Sequence, residues 1–254
     1  MATEINRLQD RAIDLWFGRP GHVSLDGSQY VLSLSTNEVR RAGRFRSEAL
    51  ATQWVAHRIA LRQILSAYTG VSADTIEFDT TCGLCGDSQH GKPRVVQGAN
   101  VSFSAAHCGG ALLVAISADS EIGVDLEAVR PDTGSLARQI CTESELTRLE
   151  GEPDVDRAFI RLWVQKEALA KACGLGLAAP MSDVHIGVSP GPRTVTTRIS
   201  GSSWWVREYQ FGPFLYGAVA STLPTRDVRM LTMERALSRR SFRHAVTALP
   251  PIIL

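Results

Sequence analysis

The sequence predicts an α+β fold, and three observations predict it. Segments of strand-like alternation and segments of helical spacing are interleaved without a regular βαβ repeat. Each half of the chain shows a comparable order of strands and helices. The length, 254 residues, suits one large domain or two of ordinary size. We divide the chain into an N-terminal half, 1–118, a C-terminal half, 119–224, and an extension, 225–254.

The elements follow in order. Tyr30 to Ser35 reads as a strand, Ser47 to Tyr68 as a helix with apolar residues at helical spacing, Ile76 to Phe78 as a short strand and Val101 to Ala105 as another. Ala111 to Ser117 is expected to pair with Ile122 to Glu127 through the turn at 118–121. Thr142 and Glu145 form a capping-box start for a helix. From Asp154 to Cys173 the apolar positions recur at three- and four-residue spacing and Gly174 follows as a stop, giving a helix of about five turns. Strands are expected at Val184 to Val188, Val195 to Ile199, Trp204 to Tyr209 and Leu215 to Ser221. Asp227 to Thr247 is arginine-rich and suits a terminal helix or a loose extension; Pro250 and Pro251 end any helix.

Two of these segments carry chemistry. Alternation from Val124 to Ala128 turns Asp125 and Glu127 to one face, with Val124 and Leu126 toward the core. Adjacent carboxylates repel, and a hard divalent cation such as magnesium relieves the repulsion through oxygen ligands. The same pair also suits a plain solvated strand face. In the long helix Glu167 and Lys171 are stacked one turn apart, with Lys166 beside them; an ordinary surface ion pair is the bland alternative.

Composition narrows the setting. With 27 basic against 26 acidic residues the net charge is +1, which argues against a general nucleic-acid binder. No leader and no membrane-spanning apolar run is read, and five cysteines suit a reducing compartment, so a soluble, cytoplasmic chain is expected. Cys82, Cys85 and His90 have the spacing of a zinc knuckle or a thiol pair but show only three ligands.

The ordered set Gly123-Val-Asp-Leu-Glu127, Leu162-Trp-Val-Gln-Lys-Glu-Ala-Leu-Ala-Lys171 and Gly174-Leu-Gly-Leu177 resembles the signature of the 4′-phosphopantetheinyl transferases, of the larger Sfp-like type. His90-Gly-Lys-Pro93 and Val101-Ser-Phe-Ser-Ala-Ala-His107 resemble two further motifs of that family, and the resemblance runs over roughly 40–220. It implies two pseudo-symmetric α+β halves in a monomer, with the nucleotide held in the cleft between them. It also implies magnesium-dependent transfer of the 4′-phosphopantetheine arm of coenzyme A to a serine of an acyl, peptidyl or polyketide carrier protein, releasing adenosine 3′,5′-bisphosphate. Asp125, Glu127 and Glu167 match the metal ligands, Glu167 and Lys171 the catalytic pair. Arg41, Arg44, Lys92, Pro93, His107, Asp125, Lys166 and Lys171 are the residues expected against coenzyme A, His107 at the 3′-phosphate. No nucleic acid and no membrane is implied. Two positions depart from the pattern: Ala106 replaces a usual serine, so a hydroxyl contact is expected to be missing, and Gln53 replaces a usual arginine, with Arg41 or Arg44 as substitute. A non-catalytic binder of coenzyme A or of a carrier is the rival reading.

Overall fold

The apolar run Ala111–Ser117 is buried at every residue, so both faces of this strand must be covered. Alternation sends Leu112, Val114 and Ile116 to one side and Ala111, Leu113 and Ala115 to the other, and the two sets enter different apolar clusters. The computed structural model describes residues 12–21, 34–83, 85–88, 91–174, 181–186, 193–196, 203–222 and 227–233.

In chain order the elements are β1 (Ala12–Gly18), α1 (Thr36–Ala42), α2 (Glu48–Thr69), β2 (Phe78–Asp79), β3 (Arg94–Val95), β4 (Ser102–Cys108), β5 (Ala111–Ser117) and β6 (Ile122–Ala128). They continue as α3 (Gly134–Ile140), α4 (Glu143–Glu150), α5 (Val155–Cys173), a 3-10 turn at Met181–Asp183, β7 (Arg193–Thr196), β8 (Ser203–Gly212), β9 (Leu215–Ser221) and β10 (Asp227–Thr232). The class is α+β, as expected.

One four-stranded sheet has the order β10-β1-β5-β4 and another the order β6-β9-β8-β7. Leu61, Ile64 and Leu65 of α2 pack on the outer face of the first sheet against Phe103, Val114 and Ile116. Phe159, Leu162 and Leu169 of α5 cover the outer face of the second, with Trp204, Val206 and Ala218. Between the sheets lie Ile13, Leu15, Leu113 and Ala115 from one side and Ile122, Val124, Leu126 and Val219 from the other. The described core is thus layered helix, sheet, sheet, helix, with side chains of alternating strands filling each interface.

The expected hairpin of Ala111–Ser117 with Ile122–Glu127 does not form. β5 pairs with β1 and β4, and β6 pairs with β9. The link between them passes from one sheet to the other and is fixed by Ser120, whose hydroxyl bonds Ser117 at 2.8 Å and Ser221 at 3.1 Å. Both strands have a wholly apolar face to bury, and stacking their sheets buries both at once.

Asp227–Thr232 is a strand, not part of a helix, and runs parallel to β1 with Asp14 opposite Arg229. Arg229 donates to both oxygens of the buried Asp14, at 2.6 and 2.7 Å, and Tyr68 donates to Asp14 as well. β1 and the short helix α1 were not foreseen. Val184 to Ile186 forms no strand, and the expected strands at Tyr30 to Ser35 and Val195 to Ile199 fall largely outside the described residues, as does everything after Met233.

Candidate active site

Gly123 decides how closely α5 lies on β6. A Cβ there would stand 2.0 Å from the Ala168 carbonyl oxygen and 2.3 Å from the Ala172 nitrogen, so only glycine lets the two backbones meet. Asp125 and Glu127 share the helix-facing side of β6 with Gly123, and Glu167 and Lys171 come down on it from α5. The helix starts at Asp154, whose side chain accepts from the Arg157 N–H at 3.0 Å, and stops at Gly174, which is left-handed with φ 73°.

Lys171 Nζ donates to Asp125 Oδ1 at 2.6 Å. Asp125 and Glu167 are buried, and among the described residues Asp125 Oδ2 and Glu167 Oε1 have no hydrogen-bond partner. Burial raises the pKa of Asp125. Burial and then the Asp125 charge raise that of Glu127, and burial, Asp125 and Glu127 together raise that of Glu167. Glu127 is half-buried, turned toward Arg130 at 3.5 Å and the Cys108 thiol at 3.9 Å.

As they stand, no group of three or more His, Cys, Asp or Glu side chains among the described residues is gathered tightly enough to hold a metal ion. The donor chemistry nevertheless suits one. Two buried carboxylate oxygens lack partners among the described residues, three carboxylates disfavour one another's charge, and every donor is a hard oxygen.

Beside the acids opens a cavity of about 360 Å³ between α2, β4 and the end of α5, lined among others by His57, Lys92, Pro93, His107, Lys171 and Gly174. Gly91 fixes its wall, because a Cβ there would lie 2.4 Å from the Thr81 backbone. Lys92, next in sequence, donates to Glu121 at 2.6 Å and to the Ala172 carbonyl at 3.3 Å, which ties this loop to α5. The His107 ring stacks on that of His57 with centroids 5.2 Å apart, and its pKa is lowered by desolvation and then by the Lys171 ammonium.

Other expected residues lie elsewhere. Lys166 is a correction: its fully buried ammonium pairs with Glu145 at 2.7 Å and donates to the carbonyls of Ile140, Met181 and Val184. It lies five residues from Lys171, some 140° around the helix at about 100° per residue, so the two lysines face different sides. Arg41 and Arg44 are exposed around a neighbouring cleft with Asn37, Arg40, Phe45 and Ser88; Arg41 stacks at 5.4 Å over Trp54, which lines the cavity, and its charge acts on His107. Arg58 and Arg62, from the same basic stretch, are consumed by the buried Glu38.

The two departures also find their places. Ala106 is buried in the apolar cluster between the sheets, whereas Ser104 on the same strand lines the cavity and accepts from the Val124 N–H at 3.1 Å. The Gln53 amide lies against the Gly109-Gly110 turn, where Arg19 donates to the Gly109 carbonyl at 2.6 Å. Sequence reading missed His57 and Arg19, which stand in none of the quoted motifs, and Ser104, which lies inside the Val101–His107 motif but was given no role. Cys82 and Cys85 are in no disulfide, and His90 lies outside the described residues.

A profile of the 4′-phosphopantetheinyl transferase superfamily matches residues 121–218, the span that holds Asp125, Glu127, Glu167 and Lys171. Over that span the chain is similar to this superfamily. Among its relatives, the 4′-phosphopantetheinyl transferase HetI of Nostoc sp. is 32% identical over 166 residues, 62% of this chain and 66% of HetI. The match therefore falls just short of two thirds of HetI's length. The transferase psf-1 of Bacillus pumilus is 27% identical over 203 residues, covering 78% of this chain and 84% of psf-1. Sfp of Bacillus subtilis is 21% identical over 217 residues, 84% of this chain and 93% of Sfp. Similarity to the longer-matching relatives extends beyond the profile span, into the half that carries Lys92 and His107. No helix among the described residues is long and apolar enough to cross a membrane.

Proposed function

We propose that this chain is a 4′-phosphopantetheinyl transferase that moves the phosphopantetheine arm of coenzyme A onto a serine of an apo carrier protein. The observation that carries the reading is the meeting of Asp125, Glu167 and Lys171 at the mouth of a cavity walled by Lys92 and His107.

The serine oxygen attacks the phosphorus that bears the pantetheine, forming an O–P bond. The bond from that phosphorus to the bridging oxygen breaks, and adenosine 3′,5′-bisphosphate leaves with the electron pair. Glu167, whose burial and acidic neighbours raise its proton affinity, takes the serine proton, directly or through a water. Lys171 neutralises charge on a pyrophosphate oxygen as it releases Asp125, while Lys92 and His107 hold the nucleotide portion. Asp125, Glu127 and Glu167 would hold a magnesium ion, which when bound supplies Lewis-acid stabilisation of the pyrophosphate. The remaining contribution is alignment, the principal requirement of phosphoryl-type transfer.

The test is incubation of the purified chain with coenzyme A, magnesium and apo acyl, peptidyl and polyketide carrier proteins side by side, read by mass spectrometry. A phosphopantetheine mass gain on at least one carrier, abolished by a chelator, is expected. Coenzyme A binding with no mass gain on any carrier would overturn the transferase reading and favour a non-catalytic binder. Sedimentation of the pure protein checks the accompanying proposal that it acts as a monomer.

A further inference from the structure

The cavity lining includes three cations, Arg58, Lys92 and Lys171, two imidazoles, His57 and His107, and no carboxylate. Such a wall suits an anion. Each cation is already matched, Arg58 by Glu38, Lys92 by Glu121 and Lys171 by Asp125. The lining can therefore gain positive charge only at the imidazoles.

His57 is the buried member of the stacked pair. Its Nε2 lies 3.1 Å from the Gly110 carbonyl oxygen, and a carbonyl only accepts, so Nε2 carries the hydrogen. That tautomer leaves Nδ1 bare, and among the described residues it makes no hydrogen bond. The groups around the ring are His107 from β4, the Gly109-Gly110 turn with Gln53 and Arg19 against it, and Arg58 on its own helix; Lys171 and Arg41 act on His107 behind. Asp125, paired with Lys171, also acts on His107, and Glu38 is paired with Arg58; among the described residues no carboxylate acts on His57 itself.

We infer that His57 selects for a dianionic phosphate group in this cavity, taking up one proton at Nδ1 as the phosphate enters and returning it as the phosphate leaves. The inference rests on reading the cavity as the coenzyme A site, and the group concerned is then the 3′-phosphomonoester. Burial, with a smaller push from His107 and against the bond to the Gly110 carbonyl, holds the His57 pKa below its ordinary value, so the ring is neutral near pH 7. A dianion alongside reverses the balance, because it favours the imidazolium more than burial disfavours it. Proton uptake then couples binding to pH.

The experiment is calorimetric titration of the full chain with coenzyme A and with dephospho-coenzyme A, which lacks the 3′-phosphate, in buffers of different ionisation enthalpy between pH 6 and 7.5. His57→Gln keeps an N–H for the Gly110 carbonyl but cannot titrate. Wild type should take up about one proton more per coenzyme A than His57→Gln at the optimal pH. Dephospho-coenzyme A should show no such difference. The KM of His57→Gln for coenzyme A should also lose up to about tenfold per pH unit of the wild-type dependence, with kcat little changed. As a check free of any variant, NMR titration of the wild-type His57 ring should show its pKa rise when adenosine 3′,5′-bisphosphate is added. Equal proton counts in the two proteins, equal uptake with dephospho-coenzyme A, or an unmoved His57 titration would each overturn the inference while leaving the coenzyme A site standing. Absence of any binding heat with coenzyme A would overturn both readings together.

Discussion

Helix α5 carries two lysine–carboxylate pairs with opposite characters. Lys166 and Glu145 are fully buried and fully satisfied: the ammonium meets three carbonyls besides Glu145, and Glu145 accepts from the N–H groups of Thr142 and Ile186. Lys171 and Asp125 share one hydrogen bond, the lysine is about a third exposed, and among the described residues Asp125 Oδ2 and Glu167 Oε1 are left without partners. Burial of charge is common to both sites. What separates them is leftover bonding capacity, which a structural pair cannot tolerate and a ligand site requires.

The contrast breaks most visibly at Glu167. If it accepts the serine proton, Glu167→Gln should lower kcat by about 10²- to 10⁴-fold at saturating coenzyme A, with folding intact by circular dichroism. Wild-type turnover in this variant would mean that the unsatisfied pair is not the functional one. Lys166→Met should do the reverse, removing about 3–5 kcal/mol of stability in urea titration by leaving Glu145 buried and unpaired. Its folded fraction should retain near-normal kcat. Gly123→Ala forces β6 and α5 apart and touches only the Lys171 side, so a loss of about 1–3 kcal/mol with a raised KM for coenzyme A is expected. The smallest effect belongs to Arg157→Ala at the helix start, where an exposed pair with Asp154 and bonds to the Pro213 carbonyl and the Tyr216 hydroxyl are lost; a slightly lower melting temperature with unchanged kcat is expected.

The pH dependence of stability sharpens the comparison further. Asp125, Glu127 and Glu167 have folded pKa values raised above their unfolded ones. Their contribution is fully present below the ordinary carboxylate pKa and is lost as pH rises through the raised folded values. In chelator-treated protein, Glu167→Gln should therefore melt at a higher temperature than wild type at pH 7.5, and the difference should shrink toward pH 4. A variant that melts lower at neutral pH would contradict the strained-carboxylate picture.

Much of the site was legible because it depends on local spacing. Alternation placed Val124 and Leu126 in the core and Asp125 and Glu127 on the other face, and the long helix spans Val155–Cys173 with its stop at Gly174. The separation of Lys166 from Lys171 was also open to reading, since five residues turn a helix by well over a right angle, but adjacency to Glu167 in sequence suggested adjacency in space. Which strands pair was not legible. The continuous apolar run of β5 and the alternation of β6 read the same whether the strands form one hairpin or line two stacked sheets, and the choice is made by packing partners far away in the chain. His57 escaped notice because a single histidine on a helix has no pattern; only the stacked His107 and the Gly110 carbonyl give it a role.

The parallel pairing of β1 with β10 has a consequence in time. The inner strand of the first sheet lies between partners that begin about a hundred and more than two hundred residues later, so its ladder joins segments at great sequence distance. During synthesis β1 must wait for residue 232 before both of its edges are covered, and until then Asp14 lacks the Arg229 guanidinium that neutralises it. Long-range closure of this kind is slow and leaves a pairing edge open to other chains meanwhile. Yield of the soluble protein should therefore respond to translation speed and to chaperone supply before it responds to any change in the catalytic cleft.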